Sequence, residues 1–327
     1  MVLINNDNNS INNPKVSIII LNWNGLEDTI DCLESLKKIT YPNYEVIVVD
    51  NGSREKDAQV LKDKFSDYIH LIRNEKNYGY TGGNNIGIRY ASSNSSPDYF
   101  LIINNDVVVA PDFLTTMIKI AKYDTSIGIL GPKLYYYSYP GIIYSTVSKI
   151  NMWTGSFIST GHKQLDTGQY DVQQDADCLS GCCLLVSKEV IHKIGLLDES
   201  FFSYCDEIDY CFRAQKAGFR NIYVPQAVAW HKKVLSKKFC GKFTYAEKGR
   251  PLDLYYGTRN NFKFMRKHGS KKQYLTFLLH FVCWRLCFMT GILLLYHRNI
   301  SELVAFYRGT IDGLLNSEAS ARIYTKD

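Results

Sequence analysis

The chain has no paired C-x-x-C spacing: its nine cysteines lie singly or side by side, several inside apolar runs, as Cys182 and Cys183 do. That excludes a structural zinc ribbon and a secreted disulfide framework, and it fits reduced thiols in the cytoplasm. The first thirteen residues, MVLINNDNNSINN, lack a basic segment leading into a long apolar stretch, so a secretory leader is not expected and residues 1–14 read as a disordered tail. Acidic residues are scarce in one place. Between 232 and 298 only Glu247 and Asp253 stand against 15 Lys or Arg, a local +13 in a chain of net charge +6. No RNA- or DNA-binding motif accompanies that stretch, which leads into an apolar segment, so no nucleic acid partner is expected. The asymmetry points to an anionic membrane surface, with a solvated basic face as the plain alternative.

What is present is an ordinary globular composition, 327 residues with 46% hydrophobic content, enough for one large domain or two smaller ones. Residues 16 to 22 (VSIIILN), 45 to 50 (EVIVVD), 69 to 73 (IHLIR) and 99 to 104 (YFLIIN) are nearly continuous apolar runs, the pattern of strands covered on both faces. Amphipathic segments lie between them at 26 to 38, 55 to 66 and 82 to 92, which makes the N-terminal half a doubly wound, mostly parallel α/β sheet. Residues 134 to 177 read as irregular strands and loops. Order returns with a strand at 178 to 187, a short helix at 188 to 195, a helix from 206 stopped by Gly218, and extended pieces RNIYVP and AVAWH. Residues 252 to 268 and 272 to 296 look helical. No internal repeat is evident.

Ligands in such sheets bind beyond the carboxyl ends of the strands, which singles out Asn22 to Gly25, Asp50 to Ser53 and Asn104 to Asp106. Asp50, followed by Asn51 and Gly52, offers a carboxylate for a base or ribose, or else forms a turn that caps the next helix. The segment NYGYTGGNNIG, with Gly79, Gly83 and Asn84, allows close backbone approach to phosphate or ribose, or simply shapes a loop. It is not a G-x-G-x-x-G fingerprint. In Asn104-Asn105-Asp106, Asp106 is a candidate ligand for Mg²⁺ or Mn²⁺, hard ions that take oxygen donors; a turn residue is the alternative. His231, at the end of AVAWH, is a candidate second ligand or a packed residue. Asp206 and Glu207 are adjacent carboxylates at a helix start. Like-charge repulsion weakens their acidity and suits one of them to accept a proton, while dipole compensation is the bland reading. Asp209 and Arg213, four apart, read as a structural pair.

Taken in order, ILNWNG, VVDNGS, NYGYTGGNNIG, INNDVVV, SGCCLLVSKEV, GLLDESFFSYCDEIDYCFRAQKAGF and YVPQAVAWH resemble the family 2 inverting glycosyltransferases, particularly the rhamnosyltransferase-like and galactofuranosyltransferase-like branch. The likeness runs from about 16 to 233. It implies a glycosyltransferase A-type domain over 15–245, with Asn22, Asp50, Asn51, Gly79, Gly83, Asn84 and Asn105 toward a nucleoside diphosphate sugar. It further implies Asp106 and His231 toward Mn²⁺ or Mg²⁺, and Glu207, preferred over Asp206, as the base. Two departures stand out: Asn-Asn-Asp replaces Asp-x-Asp, and the usual Glu-Asp order is inverted to Asp206-Glu207. The implied acceptor is a glycan or lipid-linked glycan in cell-surface polysaccharide synthesis. A catalytically silent sugar-nucleotide-binding protein is the alternative, and a homo-oligomer is left open.

Residues 246–327 form a basic and apolar helical region. Within it 274 to 296 is long enough to cross a bilayer at about 1.5 Å per residue. Arg285 and His280 interrupt that stretch, and an Arg near the centre costs roughly 2.5–3.5 kcal/mol on insertion scales. A helix lying on the inner face of the cell membrane is therefore preferred to one that spans it, with a core helix of a helical subdomain as the alternative.

Overall fold

The computed structural model describes residues 13–233 and 250–317. The N-terminal half alternates β1 (Val16–Asn22), α1 (Leu26–Leu36), β2 (Tyr44–Asp50), α2 (Glu55–Phe65), β3 (Ile69–Arg73), α3 (Gly79–Asn94) and β4 (Tyr99–Asn104). Strands β1 to β4 are mutually parallel in the order β3-β2-β1-β4. Their runs are apolar throughout because both faces are covered. Ile18 and Ile20 join Leu33, Leu36 and Leu61 of α1 and α2 on one side, while Ile19, Ile47 and Val49 join Ile88 and Ala91 of α3 on the other.

The chain continues through β5 (Val107–Val109), α4 (Phe113–Ala121), β6 (Ile127–Tyr136), β7 (Tyr139–Ser145), hairpin β8 (Ser148–Asn151) and β9 (Ser156–Ser159), and the short β10 (Gln174–Asp175). Then come β11 (Cys183–Ser187), α5 (Lys188–Ile194), α6 (Asp206–Lys216) and β12 (Arg220–His231). Strand β11 runs antiparallel between β4 and β6, and β12 lies parallel to β6, so the ten-stranded sheet is mixed but mostly parallel. The buried strand β6 begins at Ile127, in a stretch given no element from the sequence, and runs only three residues into the region read as irregular from 134. The two extended pieces near 220 to 231 are one strand with a register shift between Val224 and Val228. The strand expected over 178 to 187 is shorter, beginning at Cys183.

Three helices follow: α7 (Pro251–His268), α8 (Lys271–His297) and α9 (Ile300–Leu315). Ser270 and Gln273 form a capping box that starts α8. Phe262, Phe264, Met265, Phe277, Phe281, Leu293 and Phe306 share one core with Ile19, Phe100 and Tyr210, so these helices are a wall of the same body as the sheet. Helix α8 is long and apolar enough to cross a membrane, and only 11% of its apolar window is buried. One side packs through Phe277, Phe281 and Leu293. Leu275, Leu279, Trp284 and Leu295 stand exposed on the other.

Candidate active site

Sheet pairing at the ends of β12 and β5 builds the first half of the site. His231 pairs opposite Val107, and the Lys232 N–H donates to the Asp106 carbonyl at 2.8 Å. Asp106 and His231, 125 residues apart in sequence, therefore meet with Nε2 3.0 Å from Oδ2. The Tyr144 ring stands edge-on to the imidazole at 4.5 Å, and the Cys182 Sγ lies 3.8 Å from Nε2. Burial opposes a charge on His231, but the Cys182 sulfur and the Asp106 carboxylate outweigh it and push its pKa up to about 10. Burial likewise opposes charge on Asp106, and the His231 hydrogen bond overcomes it, holding the carboxyl below its ordinary value. The other oxygen, Oδ1, is buried and accepts no hydrogen bond among the described residues. A buried carboxylate oxygen left without a donor costs free energy unless something else binds it, and a divalent cation is such a group. Among the described residues no three His, Cys, Asp or Glu side chains gather as a ready-made cage. An ion at Asp106 would thus draw most of its shell from water and a diphosphate, with His231 joining only by giving up its bond to Asp106.

The second half is the start of α6. Phe202, Tyr204 and Cys205 all have positive φ (65°, 69° and 62°), a conformation L-residues rarely adopt and one that costs of order 1–3 kcal/mol each. Helix α7 holds this loop by its carbonyls. The Asn260 amide donates to those of Phe201, Ser203 and Tyr204 at 2.7 to 2.9 Å, and Arg259 donates to those of Ser200 and Phe201 at 3.0 Å. The contorted loop delivers Asp206 and Glu207 to one rim of the sheet. Asp206 is 3% exposed, whereas Glu207 is only half-buried. Burial raises the pKa of both, and the Glu207 charge raises that of Asp206 further. Asp209 and Arg213 do pair, at 2.7 Å.

Asp106, His231, Asp206 and Glu207 line one cavity of about 300 Å³, together with Lys233 and Arg250. It adjoins a second of about 240 Å³ lined by Asn51, Gly79, Asn105, Trp23 and Tyr256; Tyr80, Asn104, Tyr204 and Arg250 face both. Asn51 is fixed by four hydrogen bonds, to Asn74, Asn77, Tyr78 and Gly79. Gly79 has φ +76°, and a Cβ there would lie 2.5 Å from Phe202, so only glycine fits between the strained loop and α3.

Four of the residues expected at a nucleotide lie beneath or behind that wall. Asn22 is fully buried, its amide donating to Asp50 (3.0 Å) and Ser53 (3.1 Å) and its oxygen accepting from Gly25 and Thr29, so its polar atoms are taken up in holding strand ends together. Asp50 is fully buried beside Arg73 at 3.8 Å, with one oxygen accepting no hydrogen bond among the described residues. Gly83 serves packing: a Cβ would lie 2.3 Å from Leu21. Asn84 faces inward and donates to the Tyr80 carbonyl. Conversely, Arg250, Lys233 and Tyr204 were not legible as cavity residues, whereas Trp23 falls within the strand end Asn22 to Gly25. The only signal for the first two was the basic stretch from 232, whose residues 234–249 lie outside the described ones.

An A-type fold with an acidic pair, a lone strand-end carboxylate and a donor-sized cleft at the carboxyl rim defines the class: a glycosyltransferase. The chain belongs to Glycosyl transferase family 2, whose pattern matches residues 17–195, more than half its length. It is 27% identical over 308 residues to the low-salt glycan biosynthesis hexosyltransferase Agl10 of Haloferax volcanii, covering 92% of this chain and 91% of that one. It is 25% identical to the dTDP-rhamnosyl transferase RfbF of Shigella flexneri (92% and 96%). To the N-acetylglucosaminyl-diphospho-decaprenol L-rhamnosyltransferase of Mycobacterium tuberculosis it is 27% identical (62% and 71%). Among solved structures the chain superposes on GalNAc-T7 with UDP, GalNAc and Mn²⁺ at a TM-score of 0.62 and 14% identity, covering 97% of this chain and 59% of that one. On the mannosyltransferase PcManGT of Pyrobaculum calidifontis with GDP-Man and Mn²⁺ the TM-score is 0.55 at 13% identity (93% and 88%). The protein is a sugar-transferring enzyme of polysaccharide synthesis, and the reading of a silent sugar-nucleotide-binding protein is not favoured.

Proposed function

We propose that the chain catalyses single-displacement, inverting transfer of rhamnose or a similar hexose from a nucleoside diphosphate to a hydroxyl of a lipid-linked glycan. The observation that carries this is the meeting of Glu207 and Asp106 across one cavity that opens into the cleft of Asn51 and Gly79. The names of the relatives favour dTDP-rhamnose as the first donor to try and a saccharide on a lipid diphosphate as the acceptor.

In this reading Glu207 accepts the proton of the acceptor hydroxyl as its oxygen bonds to the anomeric carbon. The bond from that carbon to the diphosphate oxygen breaks, and the electron pair leaves with the nucleoside diphosphate. Its raised pKa makes Glu207 a better proton acceptor than an ordinary carboxylate. Asp106 would hold Mn²⁺ or Mg²⁺ through its unpartnered Oδ1, with His231 beside it. Such an ion, when bound, neutralises charge developing on the departing diphosphate. Lys233 and Arg250 add positive charge to the same cavity. Asn51, Gly79 and Asn105 hold the donor, and Asn22, Asp50, Gly83 and Asn84 shape the strand ends and helix beneath them. The described residues of the sheet domain and of helices α7 to α9 act as one body. The exposed side of α8 lies on the inner face of the cell membrane in the cytoplasm; Lys271, Lys272 and Arg298 stand at the ends of the helix, and 271 to 297 contains no acid.

The test is calorimetry with dTDP-rhamnose and Mn²⁺, followed by transfer of labelled sugar. Donor binding tightened by Mn²⁺ in the wild type and indifferent to it in Asp106→Ala supports the reading. Absence of binding, hydrolysis and transfer across a panel of nucleoside diphosphate sugars removes it.

A further inference from the structure

More than half of the large apolar and aromatic side chains exposed among the described residues lie between 275 and 315, in α8 and α9. In α9 they recur at Ile300, Val304, Tyr307, Ile311 and Leu314, alternating steps of four and three that lay them along one side of a helix. The opposite side of α9 is given to protein contacts. A Cβ on Gly309 would lie 2.5 Å from the Tyr255 carbonyl oxygen and one on Gly313 2.8 Å from the Phe262 ring, so α9 lies directly against α7. Both acids of α9 are buried: Asp312 accepts from the Tyr255 hydroxyl at 2.7 Å, and Glu302 accepts from the Asn299 amide at 2.8 Å and pairs with His297. The outer side of α9 thus presents no carboxylate.

The two helices join along a seam. The hydroxyls of Tyr307 in α9 and Thr290 in α8 are 2.9 Å apart, and Phe306 lies nearly parallel to Phe281 at 6.1 Å. Tyr307 belongs to the apolar stripe of α9. Cys287 and Leu294, three residues before and four after Thr290, are exposed on its side of α8, so the seam makes one apolar surface of two. Phe277, Phe281, Leu293 and His297 are buried, which holds α8 to the body along most of its length. Charge selects what covers this surface. Lys271 and Lys272 at one end of α8 and Arg298 at the other are exposed, and no acid offsets them on the outer side of either helix. A positive rim around an apolar face complements anionic headgroups, whereas the same rim on a second copy would repel it.

We propose that α8 and α9 together form one membrane-binding face and that both lie in the plane of an anionic bilayer. The proposal rests on the membrane placement of α8 given above and adds a second helix and a mode. Crossing would strip Phe277, Phe281 and Leu293 from the core, while lying flat covers the outer sides of both helices and leaves the inner sides packed.

Flotation of the full chain with vesicles of phosphatidylcholine and phosphatidylglycerol tests it. The wild type should float, less so at high salt or without phosphatidylglycerol, and alkaline carbonate should release it. Leu279→Glu in α8 and Ile311→Glu in α9 should each weaken vesicle binding roughly tenfold or more, the worth of one buried apolar side chain. Val60→Glu, equally exposed but on α2 across the sheet, should leave it unchanged, and all three variants should melt and bind donor as the wild type does. Brominated vesicles should quench Trp284→Phe/Ile311→Trp more than Trp284→Phe. Wild-type vesicle binding in Ile311→Glu beside impaired Leu279→Glu overturns the role of α9 and spares that of α8. Resistance to carbonate overturns the in-plane mode. A wild type left behind by the vesicles, or one that forms a dimer which Ile311→Glu dissociates and vesicles do not, overturns the lipid partner. Donor binding in the same samples separates any of these from failure of the glycosyltransferase reading.

Discussion

Glu207 differs from its neighbour Asp206 in reach. Both border the catalytic cavity, but only Glu207 also lines a further cavity beside it, and Asp206 is buried where an acceptor hydroxyl has little access. Glu207→Gln keeps the shape and removes the proton acceptor, so kcat should fall by about 10²–10⁴-fold, the usual worth of a positioned base, while donor affinity holds. A drop confined to KM would argue that Glu207 binds rather than accepts a proton. Because burial raises its pKa, the acid limb of the kcat profile should lie above the ordinary carboxylate value of about 4, with activity rising as the base ionises. With Asp206 adjacent, that limb belongs to the pair. The inverted order Asp206-Glu207 left the choice between them open in the sequence, because adjacent carboxylates share a spacing whichever one faces a cavity. Glycine was misleading for a similar reason. Gly79 and Gly83 look alike in NYGYTGGNNIG, yet one relieves contact with Phe202 and the other makes room for Leu21, and a missing Cβ does not record what approaches it.

Elements were legible where one periodicity prevailed and hidden where a buried polar or a Pro interrupted it. Strands β1 to β4 declare themselves as unbroken apolar runs. Strand β6, IGILGPKLYY, does not, although nearly all of it is buried. Its Pro132 falls at an irregularity of the sheet: pairing with β11 has ended at Leu130, pairing with β7 begins only at Leu134, and on the other edge β12 shifts register just after Val224, opposite Pro132. Lys133 is buried because Asp166 and Asp171 meet its ammonium. Those partners are more than 30 residues away and lie in a stretch without periodicity. The pairing of Asp209 with Arg213 was readable from helical spacing, but its other partners were not: Lys267 and His268 of α7 lie 2.7 Å from the same carboxylate. Burial alone would raise the pKa of Asp209; His268, Arg213 and Lys267 overcome that and hold it at about 2. Such a depressed carboxyl stabilises the fold fully above its unfolded pKa, near 3.9, and the contribution fades as pH falls toward 2. Asp209→Asn should therefore cost roughly 3–5 kcal/mol at neutral pH, because it takes the carboxylate from the largely buried Arg213 guanidinium, whereas Lys267 keeps Asp198. Urea denaturation at pH 7 and pH 3 checks this, and the gap between variant and wild type should narrow at the lower pH.

At the scale of the whole molecule, the C-terminal helices close the face of the sheet that carries α3 and α6 and brace the loop that presents Glu207. The sequence showed them as a basic and apolar appendage, since apolar periodicity does not say whether a helix faces lipid or protein. In α8 it faces both: Phe277, Phe281 and Leu293 turn inward, while Leu275, Leu279 and Trp284 turn out. Removing residues from 250 onward would strip Phe262, Phe264, Met265, Phe277, Phe281, Leu293 and Phe306 from a core they share with the sheet. Full burial of each such side chain contributes roughly 1.5–3 kcal/mol. Their sum rivals or exceeds the total stability of an ordinary domain, about 5–15 kcal/mol, before the freed loop at Phe202 to Cys205 is considered. A chain ending at Gly249 should accordingly fail to give a cooperative thermal transition and should bind no donor. A truncated protein that melted sharply and bound dTDP-rhamnose as the full chain does would show that the helices serve only the membrane.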